Sequence, residues 1–476
     1  MTQLDATRLA ALPARVGRPG YDRAALRTGI VHFGPGGFHR AHQADYFDRL
    51  LADDPRWGIA AVSLRSAGTI EALRRQDGLY TLAILDSQPS LRVIGAHTAF
   101  VGPREKDRLR TLLADPAVRL VTMTVTEKGY ALAADGTLDF GHPDIAHDLA
   151  SPDAPRSLVG WLALGLRGRR DARLPAFSSL CCDNMVANGA KLGAAVRAFA
   201  ERLDPELARW IAGEARFPST MVDSITPAAD DALRARVRRE TGLDDAIPIA
   251  REAFADWIIA DDLPAGGPDL AAAGAVIAAD VAGYELAKLR ILNGAHSSLA
   301  YLGLLRGHET VADAMADPEL AGFVARLIRD DIVPTIRGRA PFDLEAYADR
   351  ILERFRNSAI GHRLAQIAWD GSQKLPYRLL DTIRDARAAG RPIERLALPI
   401  AAWMAFVRRQ ARAGIALVDP LAERLAVIGA EAEKDEALVD SLLVLREIFP
   451  ADLAGDPTFR SALAAALEAL AGAVHA

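Results

Sequence analysis

A chain of 476 residues is longer than one hydrophobic core usually serves, so two domains are expected. Half of the residues are apolar and a quarter are charged, as in an ordinary soluble globular protein, and a formal net charge of −5 offers no basic stripe to nucleic acid. No apolar run approaches the ~20 residues of a membrane span, and Met1 to Arg15 shows no signal-peptide core, so a cytoplasmic protein without membrane or nucleic-acid partners is expected.

Gly29 to Phe33 reads as a short buried strand that runs directly into Gly34-Pro35-Gly36-Gly37-Phe38-His39-Arg40-Ala41-His42 and then a helix through Leu51. Strand, glycine turn and helix form the phosphate-binding unit of a dinucleotide fold. The glycines let the backbone approach a pyrophosphate, and the helix N-terminus supplies partial positive charge. Gly34 and Gly36 match the first two glycines of the general fingerprint, while His39 takes the place of the third. His39 and His42 have no third ligand nearby and read as loop and helix-start residues, so no metal is expected.

The second strand, Gly58 to Leu64, ends in Arg65-Ser66-Ala67-Gly68, where an NAD site commonly carries Asp or Glu for the ribose 2′-hydroxyl. Arg65 either neutralises a 2′-phosphate or stacks on the adenine as a flat cation, so NAD is preferred and NADP stays open. A further strand starts in Gln76-Asp77-Gly78-Leu79-Tyr80-Thr81-Leu82. Val118 to Val125 is a β-branched strand ending in Thr126-Glu127-Lys128-Gly129-Tyr130. Strand ends on this side of a parallel sheet face the cofactor, which places Thr126 and Glu127 near the nicotinamide ribose, although an exposed charged turn reads equally well.

Ala176 to Cys182 is another strand, followed by Asp183 to Gly189 and a helix from Ala190 to Leu203. Asn184 lies just past the strand, where it either points an amide at a reacting oxygen or shares with Asp183 the capping of the helix. Cys181 and Cys182 are adjacent, so a disulfide between them would be strained, and they are too few for a Cys-based zinc site; reduced thiols are expected.

In Tyr284 to His296 one Lys, one Asn and one His stand in an otherwise apolar run. Leu286, Leu289 and Leu292 recur at helical spacing, and at 3.6 residues per turn Lys288, Asn293 and His296 fall within an arc of roughly 140°. A Lys kept dry there would have its pKa drawn down from about 10.4 towards neutrality, as a general base requires, while an Asn amide and a His nitrogen can hold a substrate oxygen. The competing reading is a snorkelling Lys, a helix end at Asn293-Gly294 and a core His. From Glu285 onward, long Ala/Leu/Arg helical patterns replace the β-branched runs. Arg354 to Arg363 and Asp370 to Arg378 place basic residues among Gly, Ser and Pro, suited either to a solvated helix face or to a substrate carboxylate.

Five motifs occur in an order that resembles the polyol-specific long-chain dehydrogenases, the mannitol dehydrogenase and fructuronate reductase family. They are the loop Gly34 to His42, the stretch Gln76 to Leu82, Cys182-Asp183-Asn184, Phe217 to Pro227, and Lys288-Leu289-Arg290 through Asn293-Gly294 to His296; the resemblance runs from about Gly29 to Leu421. It implies an α/β Rossmann-type N-terminal domain, residues 1–283, followed by a mainly α-helical substrate-binding domain, residues 284–476, in a metal-independent enzyme that is often a monomer. The implied reaction is hydride transfer between NAD and a secondary alcohol of a linear polyol or sugar acid.

By the same resemblance Lys288 is the base, Asn184 and Asn293 form the oxyanion site, His296 orients a neighbouring hydroxyl, Glu285 relays the proton or pairs with Lys288, and Asp223 is a supporting carboxylate. Gly34, Gly36, Gly37, Phe38, Arg65, Thr126 and Glu127 would hold the cofactor; His362, Arg363, Lys374 and Arg378 would hold the substrate. His362-Arg363 and Asp370 to Pro376 bring the chain nearest to the fructuronate reductases, with mannitol 2-dehydrogenase as the alternative. A non-catalytic dinucleotide sensor would keep the glycine loop without needing Lys288.

Overall fold

A computed structural model describes residues 2–474, and the chain divides into two compact units, Met1–Val281 and Ala282–Ala476. At the centre of the first unit lies a five-stranded sheet in the order His97–Val101, Gly58–Val62, Thr28–Phe33, Leu120–Met123, Ser178–Cys181, and every neighbouring pair is parallel. The strands are almost continuously apolar because both faces are covered. Val31, Phe33, Ala60, Val62, Val121 and Met123 point into one core with the helices Lys106–Ala114, Leu158–Asp171 and Asn188–Leu203. Ile30, Ile59, Ala61, Leu120 and Leu180 point into another, shared with the helix Gln43–Leu50. This is the α/β Rossmann-type architecture expected from the sequence. Chain order reverses across Thr28–Phe33, and the crevice above the carboxyl ends of such strands is where ligands bind in open α/β sheets.

Two smaller sheets complete the unit. Tyr80–Leu85 pairs antiparallel with Ser90–Ile94 in a four-stranded sheet with Val16–Gly17 and Ile249–Glu252. Only Asp86-Ser87-Gln88-Pro89 joins the two strands, too little for the crossover that a parallel neighbour needs. Thr220–Asp223, Asp256–Ala260 and Val276–Ala278 form the third sheet. The helix expected to run from the glycine loop to Leu51 is broken into Gly37–Ala41 and Gln43–Leu50 at His42, whose φ of −120° and ψ of −86° leave the helical region.

In the described residues of the second unit the regular elements are all helices, joined by turns and loops. Its long central helix, Glu394–Arg412, packs against Pro457–Val474, Ala422–Glu431 and Gly294–Leu305, with Trp403, Ile400, Phe449 and Leu463 in one continuous core. Three helical segments have the wider π register: Lys288–Asn293, Leu327–Ile332 and Pro376–Leu380. The first packs against both of the others. No helix among the described residues is long and apolar enough to cross a membrane.

Candidate active site

The glycine loop follows directly from the central strand. Gly34 has φ +83°, and a Cβ there would lie 2.2 Å from the Thr124 carbonyl oxygen, so only glycine fits. Its carbonyl accepts from Thr124 Oγ1 at 2.7 Å, and its amide donates to Val62 at 2.9 Å, which fixes the turn to both neighbouring strands. At Gly36 an added Cβ would meet nothing closer than 3.8 Å, leaving open space over the loop where a pyrophosphate can approach the backbone.

Beneath the loop is a stack of buried histidines. The rings of His32 and His39 lie 3.4 Å apart, His39 Nε2 is 3.1 Å from His97 Nε2, and His32 Nδ1 is 2.7 Å from Thr122 Oγ1. Burial lowers the pKa of His32 and of His97 to about 3 and that of His39 well below its usual value, so all three are neutral packing groups. Thus His39, at the third glycine position of the general fingerprint, is a packing residue. His42 Nε2 lies 3.0 Å from the Asp256 carbonyl oxygen. Among the described residues no group of three His, Cys, Asp or Glu is placed to hold a metal ion.

A cleft of about 310 Å³ opens over the carboxyl ends of the strands, lined by Gly34, Gly36, Arg65, Ser66, Thr126, Asp144 and their neighbours. Its glycine floor, open space at Gly36 and position at the chain reversal suit a dinucleotide. Of the residues expected to hold the cofactor, Gly34, Gly36, Arg65 and Thr126 line this cleft. Gly37 starts the short helix, Phe38 stacks on His42 at 4.9 Å, and Glu127 is exposed in the turn Glu127–Tyr130; none of these three is among the cleft's lining residues.

Thr126 has φ 66° and ψ 160°, a backbone region normally left to glycine and one that costs about 1–3 kcal/mol. The carboxylate of Asp183 holds it there, with Oδ2 accepting from the Val125 amide at 2.9 Å and Oδ1 accepting from the Thr126 amide at 3.2 Å. Tyr130 donates its hydroxyl to Oδ2 at 2.6 Å. Burial raises the Asp183 pKa, and these hydrogen bonds work in the opposite direction. Neither Asp183 nor Asn184 caps the following helix, which is Asn188–Leu203 with left-handed Ala187 at its N-cap position. Asp183 is a clamp, and Asn184 is exposed beside it.

In the sequence Asn188 is one member of the Asp183 to Gly189 stretch with no spacing signal of its own. It is fully buried, donates to the carbonyls of Cys181 at 3.1 Å and Thr220 at 2.8 Å, and accepts from the Thr220 amide at 2.9 Å. It thereby ties the strand before Asn184 to Thr220–Asp223, where Asp223 is 5% exposed. Cys181 and Cys182 are both buried and form no disulfide, and burial raises the Cys182 thiol's pKa, which disfavours the thiolate.

In the second unit Lys288 and Asn293 bound the first π segment. Hydrogen bonds of the i→i+5 type bring residues five apart one above the other, so the two side chains share a face more closely than an α-helix would allow. Lys288 is 8% exposed, His296 is buried, and Asn293 and Glu285 are half-buried. Gly294 does not end the helix, which continues as Gly294–Leu305. A Cβ at Gly294 would lie 2.9 Å from the Arg378 carbonyl oxygen, so the glycine allows the Pro376–Leu380 segment to approach.

The His296 ring stacks on Phe355 at 4.6 Å and meets His362 edge-on at 5.1 Å. Its pKa is lowered by burial and, after that, by the positive charge of His362, Arg354 and Arg378. Burial likewise lowers the pKa of His362, with Lys374 acting in the same direction, and brings Lys374 down to about 8 with help from Arg378. Lys374 donates to the Trp369 carbonyl at 2.6 Å, and Arg378 Nη1 donates to Ser297 Oγ at 3.1 Å. His296 Nε2, His362 Nδ1 and Arg378 Nε are buried with no hydrogen-bond partner. These basic groups form one cluster, and Arg354 belongs to it. Arg363 is exposed, with its backbone bridged to Thr310.

Comparison with known proteins places these features in a family context. The mannitol dehydrogenase Rossmann domain matches residues 28–272, and the mannitol dehydrogenase C-terminal domain matches residues 280–471. D-mannonate oxidoreductase of Escherichia coli strain K12 is 41% identical over 96% of this chain and 96% of its own length. A mannitol 2-dehydrogenase of Cereibacter sphaeroides is 37% identical, also over 96% of each chain. The solved mannitol 2-dehydrogenase of Pseudomonas fluorescens, a ternary complex with NAD and D-mannitol, superposes with a TM-score of 0.86 at 35% identity, covering 99% of this chain and 98% of its own.

Proposed function

The chain belongs to the mannitol dehydrogenase family and is an oxidoreductase acting on CH–OH groups, and from that premise we propose that it transfers a hydride between NAD(H) and a linear sugar acid, D-mannonate in oxidation and D-fructuronate in reduction. The reading gives the dinucleotide to the first unit and the substrate to the second. The observation that carries it is the placing of the cations Lys374 and Arg378 beside His362 and His296. A substrate carboxylate gives such groups charge-assisted hydrogen bonds, whereas a neutral polyol brings no counter-charge to these half-buried cations. The likeness to a D-mannonate oxidoreductase supports the same substrate. A second reading, D-mannitol and D-fructose, draws support from the mannitol 2-dehydrogenase relatives and from the complex holding D-mannitol.

NAD(H), when bound, accepts or supplies the hydride. Lys288 takes the hydroxyl proton at Nζ in oxidation and returns it in reduction. Asn293 and Asn184 offer amide donors to the oxygen as negative charge develops there. His296, its ring held against Phe355, orients the neighbouring hydroxyl. Glu285, three residues before Lys288, relays the proton or pairs with the ammonium. Asp223 supports the site as a buried carboxylate.

The test is a comparison of kcat/KM with NADH for D-fructuronate and D-fructose, in the wild type and in Lys374→Met. At least a tenfold preference for the uronate is expected, narrowing in the variant. Equal efficiencies, unaffected by the substitution, would move the assignment to the polyol reading.

A further inference from the structure

Arg65 leaves the end of the second strand of the central sheet and reaches towards the helix Pro143–Ala150, where its Nη2 lies 3.4 Å from Oδ2 of Asp144. Both residues line the 310 Å³ cleft and a neighbouring pocket of about 230 Å³. In a Rossmann site the end of the second strand meets the ribose 2′ position. Here that strand end reads Ser63-Leu64-Arg65-Ser66 and carries no carboxylate of its own. The acid comes from the opposite wall. Glu105, which also lines the smaller pocket, is already engaged by Arg74 and Arg108, which leaves Asp144 as the acid opposed to Arg65.

The two cofactor forms meet this pair differently. A 2′-phosphate could use Arg65 only by taking it from Asp144, and it would face a carboxylate of like charge. A 2′-hydroxyl brings no charge, leaves the ion pair intact and lets the flat guanidinium stack on the adenine. Lys106 and Arg156 also line the smaller pocket, with Lys106 3.4 Å from the Pro155 carbonyl oxygen, so Asp144 is the acid that counters the cations beside the strand end. We infer that Asp144 is the specificity-determining residue that selects NAD(H) over NADP(H). The inference rests on reading the cleft as the dinucleotide site.

The experiment measures Kd for NADH and NADPH by fluorescence titration of the wild type, of the isosteric Asp144→Asn variant and of the double variant Asp144→Asn/Arg65→Ala. The wild type should bind NADH at least tenfold more tightly than NADPH. In Asp144→Asn that ratio should fall at least tenfold, mainly through tighter NADPH binding, and removing Arg65 as well should restore a preference for NADH. A ratio in Asp144→Asn within twofold of the wild type would overturn the inference while leaving the cleft as the nucleotide site. A wild type that binds neither nucleotide would overturn both.

Discussion

Lys288 is an amine held at 8% exposure on a segment where it shares a face with Asn293, an arrangement that gives little to packing and much to proton transfer. Lys288→Ala is expected to remove nearly all turnover, with NADH binding unchanged because the glycine loop belongs to the other unit. Pre-steady-state and steady-state assays with the same enzyme preparation check this; a variant keeping more than about a tenth of the wild-type rate is too active for the loss of a general base worth ~10²-fold or more. Asn184→Ala and Asn293→Ala should each lower kcat by about 10²-fold if their amides act on the developing oxyanion. A change in KM alone would make the residue a binding group. His296 differs in kind, because its neutral ring, locked against Phe355, can orient a hydroxyl but has little call to carry a proton in the physiological range.

The turn after the strand Leu120–Met123 owes its shape to a residue on another element. Thr126 is β-branched at φ 66°, and the Asp183 carboxylate holds the two amides that keep it there. Without that clamp the turn would relax and withdraw one wall of the cleft. Asp183→Ala is therefore expected to raise the NADH Kd about tenfold, with Asp183→Asn intermediate because one acceptor oxygen remains. Paired fluorescence titration and thermal unfolding separate the possibilities, since a fall in melting temperature with an unchanged Kd would confine Asp183 to folding. The contrast explains what the sequence discloses. The strand, glycine turn and helix at 28–41 are local, and each follows from residue spacing. Asp183 and Thr126 are 57 positions apart, and no spacing rule joins them. The π turn at Lys288 escapes the pattern for another reason: Leu286, Leu289 and Leu292 satisfy α periodicity, while the segment that takes the wider register packs against Leu327–Ile332 and Pro376–Leu380, far away in sequence. Gly294 reads as a helix stop until the Arg378 carbonyl beside it supplies a second reason for glycine.

Over the whole molecule the formal charge is −5, which disfavours an anion at long range, so the attraction a sugar acid needs has to be local. Screening over about 10 Å at ordinary ionic strength removes most of the long-range repulsion and acts less on a half-buried cluster. Within it Lys374 is the group poised to change state, because burial first and Arg378 second bring its pKa to about 8, against the opposing pull of Asp370 and Asp419. The sign follows from linkage. A carboxylate bound beside Lys374 favours the ammonium, so the complex holds that proton to higher pH than the free enzyme does, and affinity for the anion falls as pH rises through the free-enzyme value. KM for D-fructuronate should be level below about pH 7 and climb beyond about pH 8, by roughly tenfold for each full unit above the pKa until the complex also titrates. KM for D-fructose, which has no carboxylate, should stay flat over the same range. Lys374→Met should begin with a high KM for the uronate at neutral pH and show no further rise. If KM profiles for both sugars were flat in the wild type, Lys374 would have no part in holding the substrate.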